Sequence, residues 1–216
     1  MTPLSEGRGD LFIVSSPSGG GKTTMIRRLL DRPPGAALHF SVSHTTRPMR
    51  PGEQNGREYY FVTAPEFEEM VRREEFLEHN AVHGHTYGTS RAEVLPRLEA
   101  GEDVVLDIDV QGARDIRRAL PEAVTIFIVP QSRQELERRL TTRGLDNPDS
   151  IRKRLVNAER EIEQASDFQY VIVNDALDRA TLELESIVRA RRSAAARQAA
   201  RLERIREEFH GKGVEE

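Results

Sequence analysis

Residues 11–24 read LFIVSSPSGGGKTT, and this stretch decides the fold. Its first part, LFIVSS over 11–16, is a short apolar run without polar alternation, the pattern of a strand buried on both faces of a parallel sheet. A glycine-rich turn follows at once. Residues 22–31 then place Met25, Ile26, Leu29 and Leu30 on one apolar stripe of a helix, which Pro33 and Pro34 stop. Strand, glycine loop and helix in immediate succession aim the free amides and dipole of a helix N-terminus at the end of a buried strand, where a phosphate group fits.

The loop itself, Ser16-Pro17-Ser18-Gly19-Gly20-Gly21-Lys22-Thr23 followed by Thr24, ends in the Gly-Lys-Thr signature of a phosphate loop, with Ser16 standing where the usual pattern has its first glycine. Gly-Lys followed by Ser or Thr arises by chance in roughly one chain in ten of this length, so the flanking strand and helix carry the reading; a purely structural glycine turn is the alternative. In the functional reading the backbone wraps a polyphosphate, Lys22 reaches its β- and γ-phosphates, and the Thr23 hydroxyl holds Mg²⁺.

Working outward, the apolar runs VVLDID at 104–109, VTIFIV at 124–129 and YVIV at 170–173 are each followed by a helical pattern, at 112–120, 133–142, 150–165 and 177–209. Strands alternating with helices define an α/β fold, a parallel sheet with helices on both faces. Asp107 and Asp109, two apart, are expected on one face of a strand at its C-terminal end, the edge where such sheets collect ligands; Asp107 is then a metal-ligand candidate beside Thr23, and a solvated strand end is the other reading.

Between these elements the rhythm changes. Pro48, Pro51, Gly52, Asn55 and Gly56 punctuate short segments before a helix near 65–73, which marks 41–98 as an inserted subdomain. Residues 141–150, TTRGLDNPDS, are a polar, turn-rich stretch between two Arg-rich helices and suit a mobile flap. The resulting organisation is core with phosphate loop over 1–40, insert over 41–98, core over 99–136, lid region over 137–155, core over 156–188 and a helical extension over 189–216.

Composition closes off other classes. The chain has 216 residues, a net charge of −4 and no cysteine, which removes disulfides, thiolate catalysis and Cys-based metal sites and argues against a domain built to grip nucleic acid. No apolar run approaches membrane-spanning length and residues 1–10 lack the features of a signal peptide, so a cytoplasmic location with no membrane partner is expected. Lysine occurs only at positions 22, 153 and 212. The Arg cluster of the tail is interleaved with Glu and Ala and reads as a solvated helical face in preference to an RNA or protein contact; oligomeric state is left open. His79, His83 and His85 read as part of a polar loop, two histidines at i and i+2 being a weak chelate on their own.

Taken together, SSPSGGGKTT from Ser15, SVSHTTRPMRPGEQNGREYYFV from Ser41, FLEH and TYGTS around Glu78 and Tyr87, LDIDVQG from Leu106 and VIVND from Val171 resemble the guanylate kinase family, in the family's own order, over about residues 11–184. The resemblance implies ATP and GMP as substrates, Mg²⁺ as cofactor, and a P-loop sheet carrying a GMP-binding insert and a lid. It assigns Arg47, Arg50, Tyr59 and Tyr87 to the GMP phosphate, for which guanidinium forks and phenol hydroxyls are suited. It assigns Ser43, Glu78, Thr89 and Asp109 to guanine, whose N1–H and 2-amino group a carboxylate can accept together. Arg139, Arg143 and Arg154 would reach the transferring phosphoryl group and Asn174 would lie near adenine, although Arg139 could instead pair with Glu135 one turn earlier. A related peptide-binding scaffold without catalysis, and a kinase of another small acceptor such as AMP or dTMP, are the rivals. The intact phosphate loop speaks against the first; the second turns on Glu78 with Ser43, guanine being favoured if Glu78 faces the acceptor base and the acceptor being undetermined if Glu78 is a surface charge.

Overall fold

The computed structural model describes residues 7–32, 37–82, 84–142 and 148–211. Strand β1 (Leu11–Ser15) is buried at every position. Phe12 and Val14 face one cluster with Met25, Ile26 and Leu29, while Leu11 and Ile13 face another with Val94, Leu98 and Ile116. Two buried faces explain a run without alternation, and each large side chain so removed from water contributes about 1.5–3 kcal/mol. Helix α1 (Lys22–Leu30) starts directly after the loop.

Around β1 the main sheet is built from β2 (Leu38–Phe40), β7 (Asp103–Asp107), β8 (Val124–Pro130) and β9 (Tyr170–Asn174), in the order β2-β7-β1-β8-β9, with every pairing parallel. Helices α1 and α7 (Leu177–Arg192) cover one face. Helices α3 (Arg91–Glu99) and α4 (Val110–Ala119) cover the other. Helices α5 (Arg133–Thr142) and α6 (Pro148–Glu163) form a side hairpin around Leu136, Leu140, Leu155 and Ala158.

A second sheet, β4-β3-β6-β5, stands beside the first. It comprises β3 (His44–Thr45), β4 (Tyr60–Phe61), β5 (Phe76–Val82) and β6 (His85–Ser90), with β5 and β6 forming an antiparallel hairpin. Helix α2 (Ala64–Arg72) begins with a capping box between Thr63 and Glu66, and its Phe67 stacks on Phe76 with ring centroids 4.6 Å apart. His79 and His85 therefore belong to paired strands and not to a loop; His83 lies outside the described residues. The helix α3, inside the 41–98 segment by number, packs Val94 and Leu98 into the core of the main sheet.

Two further expectations are corrected. The single helix over 177–209 is two, α7 and α8 (Ala199–Gly211), because Arg197 turns inward between them to meet Asp10 at 3.1 Å and Asp103 at 2.8 Å. Buried carboxylates demand partners, and that demand overrides the helical propensity of an Ala/Arg-rich segment. Asp109 does not share a strand with Asp107: β7 ends at Asp107, and Asp109 is the N-cap of α4, its carboxylate accepting from the Gly112 amide at 2.8 Å. The stops at Pro33 and Pro34, residues 143–147 of the expected lid and the tail beyond 211 fall outside the described residues.

Candidate active site

The phosphate loop sits at the C-terminal edge of the main sheet, beyond β1 and β7. Gly20 N–H donates to Pro17 carbonyl at 2.8 Å, closing the turn. Gly21 has φ +98°, and a Cβ there would fall 2.3 Å from the Asn174 amide nitrogen, so both its conformation and its neighbour require glycine. Asn174, 3% exposed, donates to the Gly20 carbonyl at 2.8 Å. Arg139 donates to the Gly20 carbonyl at 3.3 Å, to the Asn174 carbonyl at 3.2 Å and to Glu135 at 2.7 Å. Arg139 thus makes the alternative pairing with Glu135, and it also braces the loop. Its partner Glu135, shared with Arg138, is held down to about 2 by those hydrogen bonds.

In front of the loop, Lys22 Nζ lies 2.7 Å from Asp107 and donates to the Ile108 carbonyl at 2.6 Å. The Thr23 hydroxyl donates to the other Asp107 oxygen at 2.7 Å. A hydroxyl and a carboxylate oxygen side by side are hard donors, the kind of pair through which proteins hold Mg²⁺ together with phosphate oxygens. Ser15 Oγ, buried, donates to the Ile108 carbonyl at 2.8 Å and so ties the end of β1 to the turn that carries Asp109.

These groups open into a cleft of about 390 Å³ lined by Ser16, Pro17, Ser18, Gly19, Gly21, Lys22, Thr23 and Thr24 on the loop side and by Ser43, Tyr59, Glu78, Asn80, Val82 and Tyr87 on the side of the second sheet, with Asp107, Ile108, Asp109 and Glu161 between them. Glu78 is 8% exposed. Burial pushes its carboxyl up to about 7 against the hydrogen bond from Thr89, and nearby Asp109 adds to the rise. Thr89 Oγ1 donates to one oxygen at 2.7 Å and Asn80 to the other at 3.2 Å. Tyr59 packs edge-on against Tyr87 at 5.6 Å, and burial followed by the charge of Asp107 pushes its phenol up to about 12.

Several expected residues stand one layer back from this cleft. Thr89 is fully buried and fixes Glu78. Asn174, expected near a base, supports the loop from beneath. Arg47 donates to Glu53 at 2.8 Å and lies over the Tyr59 and Phe61 rings at 5.3 and 5.5 Å; the hydrogen bond from Arg47 holds the Glu53 carboxyl below its ordinary value. Arg50 is exposed, its amide donating to Glu53 at 2.8 Å. Arg154 reaches the loop by donating to Ser18 Oγ at 2.5 Å. Arg143 lies outside the described residues. The reading of motifs missed Asn80, Val82, Ile108 and Glu161. The last accepts a hydrogen bond from the Ser18 backbone, and burial together with Asp109 raises its carboxyl against the pull of Lys22. An acidic side chain near the end of α6 carries no local signature that would have singled it out.

A glycine-rich phosphate loop at the edge of a parallel sheet, facing a buried carboxylate across one cleft, places the chain in the class of P-loop α/β proteins that handle phosphorylated nucleotides. The sequence pattern of guanylate kinase matches residues 8–191. The guanylate kinase of Dechloromonas aromatica is 51% identical over 182 residues, 84% of this chain and 89% of the relative; that of Vibrio parahaemolyticus is 51% identical over 195 residues, 90% and 94% respectively. The crystal structure of guanylate kinase from Anaplasma phagocytophilum superposes with a TM-score of 0.74 at 32% identity, covering 90% of this chain and 92% of that one. The chain belongs to the guanylate kinase family. No described helix is long and apolar enough to cross a membrane.

Proposed function

We propose that this chain performs the family's reaction in the cleft just described. It is an ATP:GMP phosphotransferase: a phosphate oxygen of GMP forms a bond to the γ-phosphorus of ATP, the bond to the bridging β–γ oxygen breaks, and GDP and ADP leave. The observation that carries the reading is Glu78, a buried carboxylate set opposite the phosphate loop in the same cleft.

Guanine offers N1–H and the 2-amino group as adjacent donors, and Glu78 in its ionised form accepts both. Adenine lacks that pair, and leaving a buried carboxylate without partners is expensive enough to discriminate by several orders of magnitude. Ser43 and Asp109 complete the base contacts from the cleft wall. Thr89 and Asn80 act through Glu78 by fixing its rotamer. Tyr59 and Tyr87 donate to the GMP phosphate, Arg47 supplies charge once it turns from Glu53, and Arg50 adds charge from its exposed position.

At the other end Ser16, Pro17, Ser18, Gly19, Gly20, Gly21 and Thr24 wrap the ATP phosphates. Lys22 exchanges Asp107 for a phosphate oxygen. Asn174 and Arg139 keep the loop in shape, and Arg154 with Arg143 places positive charge on the transferring group from the lid over 137–155. Thr23 and Asp107 are the residues that would hold Mg²⁺, which when bound neutralises charge on the phosphates. No general base is required, because the acceptor oxygen is already anionic near neutral pH; alignment and charge neutralisation supply the catalysis.

A coupled ADP-release assay with ATP, Mg²⁺ and each of GMP, AMP, CMP, UMP and dTMP tests the proposal. GMP is expected to give turnover far above the others, and Lys22→Ala to lower kcat by about 10²-fold or more. Turnover with a different acceptor would remove Glu78 from its role, and a folded protein inert to all five would make the chain a binding module.

A further inference from the structure

We infer that α8 is a self-association surface, on which two copies of this chain pair their C-terminal helices antiparallel about a two-fold axis. Leu202 is 42% exposed, Ile205 40% and Phe209 79%, and every residue from 201 to 210 is exposed. Spacings of three and then four place these three side chains on one narrow seam, the a and d positions of a coiled coil. A helix of 13 residues is marginal in water on its own; burying this seam against another helix supplies what it lacks.

The charges select both the occupant and its direction. With Leu202 and Phe209 at a and Ile205 at d, Arg201 and Glu208 take the g positions and Arg206 takes e. A parallel pair sets g against e of the other helix, which brings Arg201 to the partner's Arg206 twice, like charge on like. An antiparallel pair sets g against g. Arg201 then meets the partner's Glu208 twice, Leu202 layers on the partner's Ile205, and Arg206, already paired within its own helix with Glu203 at 3.2 Å, falls beside the partner's Ala199. The face is complementary to itself, which is what a two-fold interface needs; a uniformly acidic or basic partner would meet like charges on one half of it.

The helix is also firmly mounted. The turn before it is fixed by Arg197 on Asp10 and Asp103 and by Gln198, which donates to the Arg192 carbonyl at 2.7 Å. Asp10 and Asp103 stand at the starting ends of β1 and β7, opposite the catalytic cleft, so pairing leaves both clefts open. A seam this short buries less than the ~1,200 Å² of a standard interface, so the association is reversible and dependent on concentration.

Sedimentation velocity of the full chain from about 1 to 100 µM, the range of weak interfaces, should show monomer giving way to dimer. Ile205→Asp should stay monomeric throughout with unchanged kinase rate and melting temperature. Arg201→Glu and Glu208→Arg should each weaken dimerisation about tenfold, and their combination should restore it. Because the chain has no cysteine, register can be read directly: Leu202→Cys mixed with Ile205→Cys should cross-link several-fold more than either alone. A wild type that remains monomeric, a dimer that survives Ile205→Asp, or equal cross-linking of Leu202→Cys with itself would each overturn the assignment.

Discussion

Glu78 rests on Gly112. A Cβ added at Gly112 would lie 2.9 Å from the Glu78 carboxylate oxygen, while the Gly112 amide caps α4 through Asp109 at 2.8 Å. One residue thus leaves space for the carboxylate proposed to read guanine and anchors its acidic neighbour. Gly112→Ala is expected to push Glu78 off its Thr89 and Asn80 hydrogen bonds, raising KM for GMP about tenfold or more, as misplacement of a binding group does, with KM for ATP unchanged. Steady-state kinetics with each substrate varied in turn separates the two.

The raised carboxyl of Glu78 makes a statement about pH. Below about 4.5, its ordinary value, it is protonated in both the folded and unfolded protein. Between 4.5 and about 7 the unfolded chain releases the proton first, so stability relative to Glu78→Gln is lost as pH rises through this window, by up to ~3 kcal/mol. Urea melts of the two proteins should coincide at the acid end and diverge towards neutrality, with Glu78→Gln the more stable. GMP binding has the opposite slope: it needs the ionised carboxylate, so wild-type KM for GMP should rise as pH falls below about 7, and Glu78→Gln should have a high KM with that dependence flattened.

Asn174 and Gly21 form the second close approach. Asn174→Ala removes the hydrogen bond to the Gly20 carbonyl and opens space beneath the loop, a loss of about 0.5–1.5 kcal/mol, since the carbonyl keeps Arg139 as a donor at 3.3 Å. The expected result is a several-fold higher KM for ATP with KM for GMP unaffected. Gly21→Ala, strained by φ +98° and by collision with Asn174, should abolish ATP binding by calorimetry while far-UV circular dichroism stays native.

What the sequence made legible is what local physics controls. The order β1, loop, α1 follows from an apolar run, three glycines and an apolar stripe within twenty residues; the runs at 104–106 and 124–128 were visible because burial on both faces leaves no charged position to confuse them, while 170–173 was visible from its β-branched residues although Tyr170, Val171 and Val173 are exposed at the edge of the sheet. The hairpin β5–β6 was opaque because FLEHNAV turns polar side chains into the cleft, and α3 because Pro96 lies inside it. The break before α8 and the roles of Thr89, Asn174 and Glu161 depend on partners far away in the chain. Family motifs therefore located the cleft, while the packing behind it had to be seen.

The Arg197 clamp is the feature on which the C-terminal end depends. Arg197 is 9% exposed as a side chain, between Asp10 at 8% and Asp103 at 3%, with Arg191 and Arg192 on the same two carboxylates at 2.7 and 2.6 Å. Breaking a buried ion pair costs about 3–5 kcal/mol when it leaves a charge uncompensated, and here the loss is smaller because Arg191 and Arg192 keep both carboxylates paired. Arg197→Ala should lower the denaturation midpoint accordingly, and since the cluster lies away from the cleft, kcat at low temperature should be close to wild type.

Glu161 offers the sharpest test of how the phosphate loop is poised. Its carboxylate accepts from the Ser18 backbone and is coupled to Lys22 and Asp109, so an anionic group already uses a loop amide that a polyphosphate needs. Two anions cannot share that amide, and ATP binding must move Glu161 aside. Glu161→Gln keeps the size and a hydrogen-bond acceptor but removes the charge, so ATP, and inorganic triphosphate as a probe without a base, should bind several-fold more tightly by calorimetry, with kcat changed little. Because burial and Asp109 raise the carboxyl, the wild type should approach the variant's affinity as acid neutralises it, and the gap should widen again with rising pH. Weaker triphosphate binding by Glu161→Gln would mean the reverse role, a carboxylate that helps to hold the cation-bound substrate.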